Sequence, residues 1–430
     1  MSDTSCDVIV VGAGMAGAAA VLKLAKAGKR VTIIEARDRC GGRGFLKPYA
    51  GDDSAPLEFG GAWITPWHNR IRALVSELGL GLRPRHPVTN RLWLRDGAIH
   101  TDAPAAREDI MAHERAIARV AADAILLKTG LDVNEKGEAL RGISFAAYLD
   151  RLKCPASTRD IFSAWWTVSG NGGHTLVAAS EFLASCSYDN GLAEGMIQFW
   201  SDTVMPGIAA LAQRMIEASG AELVLSEPIT HVVALKDGVQ VINTRRVHQA
   251  KACVLALGIN QMKKITFTPA LSMAKREAIA HGHGGRSFKL WIKAESVPVG
   301  TLVTGDGSGI EFAFAERKAE DGSTLIVGFG LMNAANHPGD PEWVRAQAAR
   351  LFPNARIVSH DWHDWVDDPF ARGTWVAALV GHEDGLDSAT WQRQSRIAFA
   401  SSDYARDQAG WFEGAVIAGE DAAEAVLKIS

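Results

Sequence analysis

The stretch CDVIVVGAGMAGAAAVLKLAKAGKRVTIIE, residues 6–35, decides the fold. It starts with an apolar run typical of a buried strand, continues at residues 15–27 as an alanine-rich segment with helical character, and returns to an apolar run at residues 29–35. Gly28 stands where helices commonly end. A strand, a helix and a second strand in this order predict a βαβ unit, and therefore an α/β fold with a parallel sheet.

The turn after the first strand has the spacing G-x-G-x-x-G. In this pattern Gly12 makes a tight turn, Gly14 lets a pyrophosphate approach the backbone, and Gly17 lets the helix pack closely. Glu35 ends the second strand, where an acidic side chain binds ribose hydroxyls and disfavours the 2′-phosphate of NADP. Three glycines alone are a weak signal, but their agreement with the strands, helix and acid favours dinucleotide binding over a structural turn.

Composition narrows the class of protein. The chain has 430 residues, 47% of them hydrophobic, which is too much chain for one domain and predicts two interleaved domains. A net charge of −4 gives no sign of a nucleic-acid or membrane surface. The sequence shows no membrane span and no signal peptide, and its five cysteines form no CxxC pair, so we expect a cytoplasmic protein with reduced thiols.

Beyond the βαβ unit, a helix-rich middle is followed by a return to strands. Lys236-Asp237-Gly238 marks a hairpin, and Pro206 precedes a predicted helix. The further predicted helices are 105–128, 142–152, 159–167, 207–219, 341–351 and 413–427, and the further predicted strands are 229–235, 239–244, 252–257, 288–293, 324–329 and 397–400.

The run EARDRCGGR, residues 35–43, resembles the EAR-x-R-x-GGR signature of the flavin amine oxidase family, which includes the monoamine oxidases. Further matching segments are EFGGAWI at 58–64, SEPI at 226–229, ALGI at 256–259, FKL at 288–290, W-x-x-DPF at 365–370 and GWFEGA at 410–415. The HGHGG loop at 281–285 and the GTWVA run at 373–377 resemble the hydroxynicotine oxidase branch of that family.

The resemblance implies a fold and its domains. We expect a Rossmann-type, glutathione-reductase-like FAD-binding domain formed by residues 1–85, 205–285 and 390–430. It is interleaved with an α+β substrate domain formed by residues 86–204 and 286–389, which holds a helical insertion and a mixed sheet.

The resemblance also implies that FAD is the cofactor. Thr374 stands where some family members carry the cysteine that bonds the flavin, so we expect FAD to be bound non-covalently. The implied cofactor-binding residues are Gly12, Gly14, Met15, Ala16, Gly17, Glu35, Ala36, Arg37, Gly42, Arg43, Gly60, Gly61, Ala62, Trp63, Ile229, Ser402, Asp403, Trp411, Phe412 and Ala415.

Three residues are candidates for catalysis. Lys289 matches the family's lysine that holds a water near flavin N5, and its apolar strand FKLWI argues against a solvated surface lysine. Trp375 and Trp411 match the positions of an aromatic cage around the substrate, with core packing as the alternative. The same alignment assigns the substrate pocket to three residues: Thr167, Trp166 and Phe314.

The implied reaction is hydride transfer from a small cyclic or aromatic amine to flavin N5. The product is an imine that hydrolyses, and O2 or another acceptor reoxidises the flavin. Three alternatives stay open: a flavin dehydrogenase or desaturase on a non-amine substrate, an L-amino acid oxidase with a carboxylate-binding arginine (Arg91, Arg286 or Arg372), and a non-catalytic FAD-binding module. His360 and His363 resemble a metal pair, but they fall in the family run, so we expect no metal. The sequence leaves the oligomeric state open, a homodimer included.

Overall fold

The structure is a computed structural model that describes residues 6–50, 52–101, 105–187 and 201–429, with the backbone alone at 52–55. Helices and strands in the described chain are numbered in order. They are β1 (Cys6–Val11), α1 (Met15–Lys26), β2 (Val31–Ile34), β3 (Leu46–Tyr49), β4 (Asp52–Glu58), β5 (Trp63–Ile64), α2 (Asn69–Glu77), β6 (Gly81–Pro84), β7 (Asn90–Arg95), β8 (Ala98–His100), α3 (Ile110–Lys128), α4 (Phe145–Leu152), α5 (Ala156–Ser169), α6 (Ala179–Ser187), β9 (Asp202–Met205), α7 (Ile208–Ser219), β10 (Glu222–Val224), β11 (His231–Ala234), β12 (Val239–Ile242), β13 (Val247–Leu255), α8 (Ile259–Met262), β14 (Thr266–Thr268), α9 (Met273–His281), β15 (Ser287–Glu295), β16 (Thr301–Thr304), β17 (Phe312–Lys318), β18 (Thr324–Leu331), α10 (Pro341–Leu351), β19 (Arg356–Trp362), β20 (Ile397–Phe399) and α11 (Phe412–Leu427).

The first large sheet is built around the opening βαβ unit. Within the described chain its strand order is β10-β2-β1-β13-β12-β11-β14, with β20 also paired to β13. β1 runs parallel to both β2 and β13, which confirms the predicted parallel sheet. β11 and β12 form the antiparallel hairpin that Lys236-Asp237-Gly238 predicted.

Small residues allow helices to cover this sheet closely. α1 is rich in alanine and packs against α11, where a Cβ on Gly419 would lie only 2.2 Å from the carbonyl oxygen of Ala16. A larger residue at 419 would therefore separate the two helices. This close layer holds the N-terminus of α1 fixed against the strand ends of the sheet.

The second large sheet is mixed, as predicted. Its order is β19-β15-β18-β17-β16-β7-β8, and its neighbours are antiparallel except for β16 and β7. Helices α4 to α6 share a hydrophobic core with this sheet, in which Phe145, Trp166 and Phe182 lie near Phe312 and Phe314. These helices are the predicted insertion.

Several element boundaries differ from the prediction. The helix predicted at 105–128 begins at Ile110 because Ala106 has an extended backbone (ψ 151°) and residues 107–109 form a 3₁₀ turn. The helix predicted from 142 begins at Phe145, since Ser144 caps it by accepting a hydrogen bond from the Ala147 amide at 3.1 Å. The strand predicted from 229 begins at His231, and α7 begins at Ile208, two residues after Pro206.

The proposed domain boundaries stay a prediction. The first sheet takes its strands from residues 6–34, 222–268 and 397–399, and the second from residues 90–100 and 287–362. Among the described helices, none has the length and apolar character required to cross a membrane.

Candidate active site

A cavity of about 1250 Å³ lies where β1 and β2 end and α1 begins. Val11 and Ile34, the last residues of these strands, line it together with Gly12, Gly14 and Glu35. In open α/β sheets, ligands bind outside the carboxyl ends of the strands, and a helix N-terminus there attracts phosphate. The cavity therefore has the position and polarity of a dinucleotide site.

The glycine turn has the geometry that its sequence predicted. Gly12 adopts φ +100°, and a Cβ there would lie 2.5 Å from the carbonyl oxygen of Ala256. A Cβ on Gly17 would lie 1.9 Å from the carbonyl oxygen of Gly12. Gly17 thus packs α1 against the turn and does not line the cavity, whereas Gly14 does.

Glu35 is held in place by the backbone. Its carboxylate accepts hydrogen bonds from the amides of Ala13 at 2.7 Å and Arg37 at 2.9 Å. The side chain is buried at the wall of the cavity. Each carboxylate oxygen keeps a further lone pair, so both can still accept hydrogen bonds from ribose hydroxyls.

Arg37 connects the nucleotide motif to the DPF run. Its guanidinium donates two hydrogen bonds to Asp368, at 2.9 and 2.7 Å. His363 contacts the same carboxylate at 2.8 Å. Although burial raises it, the pKa of Asp368 is held well below its usual value by these bonds from His363 and Arg37. The described residues contain no cluster of metal-ligand type, and His363 is engaged with Asp368.

Arg43 lies at the junction of two cavities. Its guanidinium donates to the Thr374 carbonyl at 2.8 Å, to Ser402 Oγ at 2.9 Å and to Asp403 Oδ1 at 2.6 Å. Asp403 also accepts from the Ile259 amide at 2.9 Å, and its pKa is lowered by Arg43 despite the opposing effect of burial. The positive charge of the Arg43 guanidinium is therefore largely balanced by the carboxylate of Asp403.

A second cavity, of about 1360 Å³, adjoins the first, and the two share the predicted residues Arg43, Ser402 and Phe412. Its wall is mostly apolar and aromatic. The three residues predicted to be catalytic, Lys289, Trp375 and Trp411, all line this cavity.

Lys289 is a buried lysine on β15. Its Nζ donates to the carbonyl oxygen of Gly60 at 2.8 Å and lies 4.5 Å from the centre of the Trp63 ring. Burial lowers the pKa of Lys289 to about 8, against the opposing charges of Glu58 and Glu316. The ammonium form is therefore easier to deprotonate than that of a surface lysine.

The two tryptophans are positioned by different segments. Trp411 precedes α11, and its ring meets that of His68 edge-on at 5.2 Å. Trp375 is anchored through its backbone, since its carbonyl accepts a hydrogen bond from Asn171. Its indole Nε1 is buried and has no hydrogen-bond partner among the described residues, while the residue lines the cavity.

The predicted cofactor residues divide between the cavities. Those lining the first are Gly12, Gly14, Met15, Ala16, Glu35, Ala36, Arg37, Gly42, Arg43, Ile229, Ser402, Asp403, Phe412 and Ala415. Those lining the second are Arg43, Gly60, Gly61, Ala62, Trp63, Ser402, Trp411 and Phe412.

The three residues assigned to the substrate pocket lie elsewhere, which corrects the prediction. Thr167 is fully buried and donates to the Ala164 carbonyl at 2.8 Å, because its side chain points into the helix packing of α5. Trp166 stacks on Phe145 at 3.9 Å in the core. Phe314 lies beneath the guanidinium of Arg85 at 4.7 Å. None of the three lines either cavity.

Other residues of the helical insertion line the second cavity. Val168 and Ser169 of α5 and Glu181 of α6 line the second cavity, and no sequence motif marked them. Helix periodicity shows which residues lie together on one face of a helix, but it does not show which face lines the cavity. In the first cavity the unpredicted residues include Lys264 and the buried His283, whose pKa burial lowers to about 4.

The residues fit FAD on observations of the chain itself. The first cavity combines a glycine turn, a helix N-terminus and a buried ribose-type acid, which suits an adenine dinucleotide. The second, adjoining cavity offers the apolar surface that a flavin ring and a small substrate need.

The fold and site define a dinucleotide-binding flavoprotein with a separate substrate cavity. The profile of the family described as flavin containing amine oxidoreductase matches residues 15–427. The chain therefore belongs to this family, whose cofactor is FAD, and it is an FAD-dependent amine oxidoreductase that oxidises amines to imines.

Relatives along the whole chain agree with this assignment. The chain is 28% identical to (S)-6-hydroxynicotine oxidase of Paenarthrobacter nicotinovorans, over 98% of this chain and 99% of that protein. It is 25% identical to pseudooxynicotine dehydrogenase of a Pseudomonas species, over 98% of this chain and 86% of that protein.

Solved structures share the fold. Putrescine oxidase bound to putrescine has a TM-score of 0.85 at 23% identity, with 99% of each chain covered. Cyclohexylamine oxidase from Brevibacterium oxydans has a TM-score of 0.80 at 20% identity, with the same coverage.

Proposed function

We propose that the protein oxidises a small cyclic or aromatic amine, with dioxygen as the electron acceptor and FAD held without a covalent bond. The observation that carries this proposal is that Lys289, Trp375 and Trp411 line one apolar cavity adjoining the dinucleotide cavity. The similarity to (S)-6-hydroxynicotine oxidase supports a cyclic amine and an oxidase.

The overall reaction balances as two half-reactions. The substrate loses the hydrogen on its α-carbon with two electrons, its nitrogen lone pair closes a C=N bond, and water adds to the iminium to release a carbonyl compound and an amine. Dioxygen takes up two electrons and two protons to give hydrogen peroxide. Bound FAD supplies the two-electron chemistry that links the two halves.

The residues of the second cavity set the protonation state and the orientation of the amine. An apolar wall favours the neutral amine, because a charged ammonium loses hydration there without a partner. The faces of Trp375 and Trp411 restrict how the amine lies, which orients the C–H bond that breaks. Lys289 supplies a proton-exchanging group, with a pKa of about 8, at the same wall.

Non-covalent binding of FAD is supported by the residue at 374. Its hydroxyl donates to Asn171 Oδ1 at 2.7 Å, so Thr374 has a structural partner. None of the five cysteines, all of which the structure describes, lines either cavity. The five free thiols also fit the proposed cytoplasmic location.

The alternative of an L-amino acid oxidase is disfavoured by the charges in the cavity. Arg91, Arg286 and Arg372 line neither cavity in the described chain. Arg43 does line the substrate cavity, but Asp403 already pairs with it. A substrate carboxylate would therefore find no uncommitted arginine among the described lining residues.

Oxygen uptake with a panel of amines tests the proposal. The holoenzyme is mixed with (S)-6-hydroxynicotine, cyclohexylamine and hexylamine, and oxygen loss and peroxide formation are followed together. We expect a cyclic member to give one peroxide for each oxygen consumed. Flavin reduction without oxygen uptake would make the protein a dehydrogenase, as the relative named pseudooxynicotine dehydrogenase is, and no reduction by any member would refute the substrate class.

A further inference from the structure

Glu181 is the one acidic side chain that lines the substrate cavity in the described chain. It lies in the first turn of α6, and Ala184 and Ser185 line the same cavity. Residues at i, i+3 and i+4 share one face of a helix, so this face of α6 is turned to the cavity. The sidedness of the helix therefore places residue 181 at the cavity wall.

The carboxyl of Glu181 has acceptor capacity left over. The backbone of Ala378 lies near enough to lower its pKa, but no hydrogen bond from a described residue reaches it. Besides burial, the charge of Glu383 raises its pKa and that of Arg141 lowers it, and Arg141 is itself paired with Asp384 at 3.0 Å. No ion pair to Glu181 is formed within the described residues, and a carboxylate offers about four acceptor sites.

Burial raises the pKa of Glu181 to about 7. A carboxylate in such surroundings is costly unless a cation or a donor joins it. The other charged groups of this cavity are already engaged, since Arg43 is bound to Asp403 and Lys289 donates to the Gly60 carbonyl. The Ser169 hydroxyl is also used, donating to the Trp165 carbonyl at 2.9 Å.

We propose that Glu181 determines substrate specificity by binding a second, protonated nitrogen of the substrate, remote from the nitrogen at which oxidation occurs. The inference rests on the proposed function and narrows its substrate class to cyclic amines that carry a further basic nitrogen. In this arrangement the side chains of Trp375 and Trp411 contact the neutral amine that is oxidised. The carboxylate of Glu181 binds the second, protonated nitrogen.

A purely structural role for Glu181 makes a different prediction. An acidic residue in the first turn of a helix is stabilising by itself. Glu181→Gln keeps the acceptor and the shape but removes the charge. A structural role is thus preserved in this variant, whereas recognition of a cation is lost.

The test compares two ligands with one skeleton. In 4-(aminomethyl)piperidine a ring N–H₂⁺ replaces one CH₂ of (aminomethyl)cyclohexane. Dissociation constants for the FAD-loaded protein are measured from the perturbation of the oxidised flavin spectrum, at a pH above 8. We expect the wild type to bind the piperidine about tenfold or more tightly than the cyclohexane.

In Glu181→Gln this preference falls to near unity, while binding of (aminomethyl)cyclohexane stays within about twofold of the wild type. Glu383→Gln is the matched control, because Glu383 lies beside Glu181 but outside the cavity, and it keeps the preference. Ser185→Lys is a second variant. It places a cation at i+4 from Glu181, which competes with the ligand and also abolishes the preference.

A wild type without preference, or a Glu181→Gln variant that keeps it, would overturn the inference. Because binding is measured without turnover, this failure is separate from that of the proposed function. If no amine of the panel reduces the flavin but the preference follows Glu181, the function fails and the binding subsite stands.

Discussion

The ammonium nitrogen of Lys289 lies 2.8 Å from the carbonyl oxygen of Gly60. This bond joins β15 of the second sheet to the glycine run that lines the substrate cavity. Gly60 itself has no freedom to carry a side chain, since a Cβ would lie 1.9 Å from the Arg43 carbonyl oxygen. The position of Lys289 Nζ is therefore fixed by the backbone at Gly60. A group that exchanges protons with one bound ligand is expected to be held in place in this way.

Replacing Lys289 by methionine keeps the apolar stem and removes the ammonium. We expect the reoxidation of reduced enzyme by oxygen, or its reduction by amine, to slow by on the order of 10²-fold, the usual contribution of a positioned proton-transfer group. Lys293→Met on the same strand is the control, since Lys293 pairs with Asp321 away from the cavities. Stopped-flow rates equal to the wild type in both half-reactions would refute the assigned role.

The pH dependence should involve Glu58. Burial lowers the pKa of Lys289 to about 8, and the negative charge of Glu58 opposes this lowering. Glu58→Gln removes that charge, so the pKa of Lys289 falls further and the inflection of the Lys289-dependent rate moves to lower pH. Glutamine can still accept from the Ile208 amide, as Glu58 Oε1 does.

The pH profile of reoxidation in Glu58→Gln checks this direction. Glu295→Gln, which alters a half-buried glutamate at the end of the same strand as Lys289, should leave the profile unchanged. An inflection that moves upward, or not at all, in Glu58→Gln would show that the two groups are not coupled as described.

Trp375 should contribute to amine binding through its ring, which lines the substrate cavity. Trp375→Phe keeps an aromatic ring but removes part of its surface, so we expect kcat/KM to fall by roughly tenfold. Trp391→Phe is a control of the same chemistry, because Trp391 stacks on Tyr404 and donates to the Gly385 carbonyl outside both cavities. Equal losses in the two variants would point to general destabilisation.

Gly12 should be required for cofactor binding. Gly12→Ala adds a methyl group 2.5 Å from the Ala256 carbonyl oxygen at φ +100°, so the turn must move and the purified protein should contain little FAD. Gly28→Ala is the control, since Gly28 also has positive φ (+75°) but an added Cβ meets nothing within 4 Å. The ratio of flavin to protein absorbance measures both. Full FAD content in Gly12→Ala would contradict the assignment of the turn.

The sequence predicted those parts of the site whose geometry is local. Gly12 and Gly14 lie in one turn, and Lys289 lies on a strand whose apolar neighbours fix its face. Trp411 immediately precedes a helix that the pattern had located within one residue. In each case a few consecutive residues determine where the functional group lies.

The far wall of the cavity could not be predicted in the same way. Thr167 was assigned to it, but its neighbours Val168 and Ser169 line it. Consecutive residues of a helix are about 100° apart around its axis. An alignment error of one position, or a small rotation of α5, therefore assigns to the cavity a side chain that lies in the core. Arg37 shows the other limit, because its partner Asp368 is 331 positions away and no local pattern pairs them.

The anaerobic visible spectrum shows whether the protein binds FAD and reduces it with a cyclic amine. The purified protein is recorded without oxygen before and after (S)-6-hydroxynicotine and then the other cyclic amines are added. The account predicts a yellow flavin band that bleaches with at least one of these amines. A protein without the flavin band, or a band that stays oxidised with every amine, would contradict FAD-dependent oxidation of a cyclic amine.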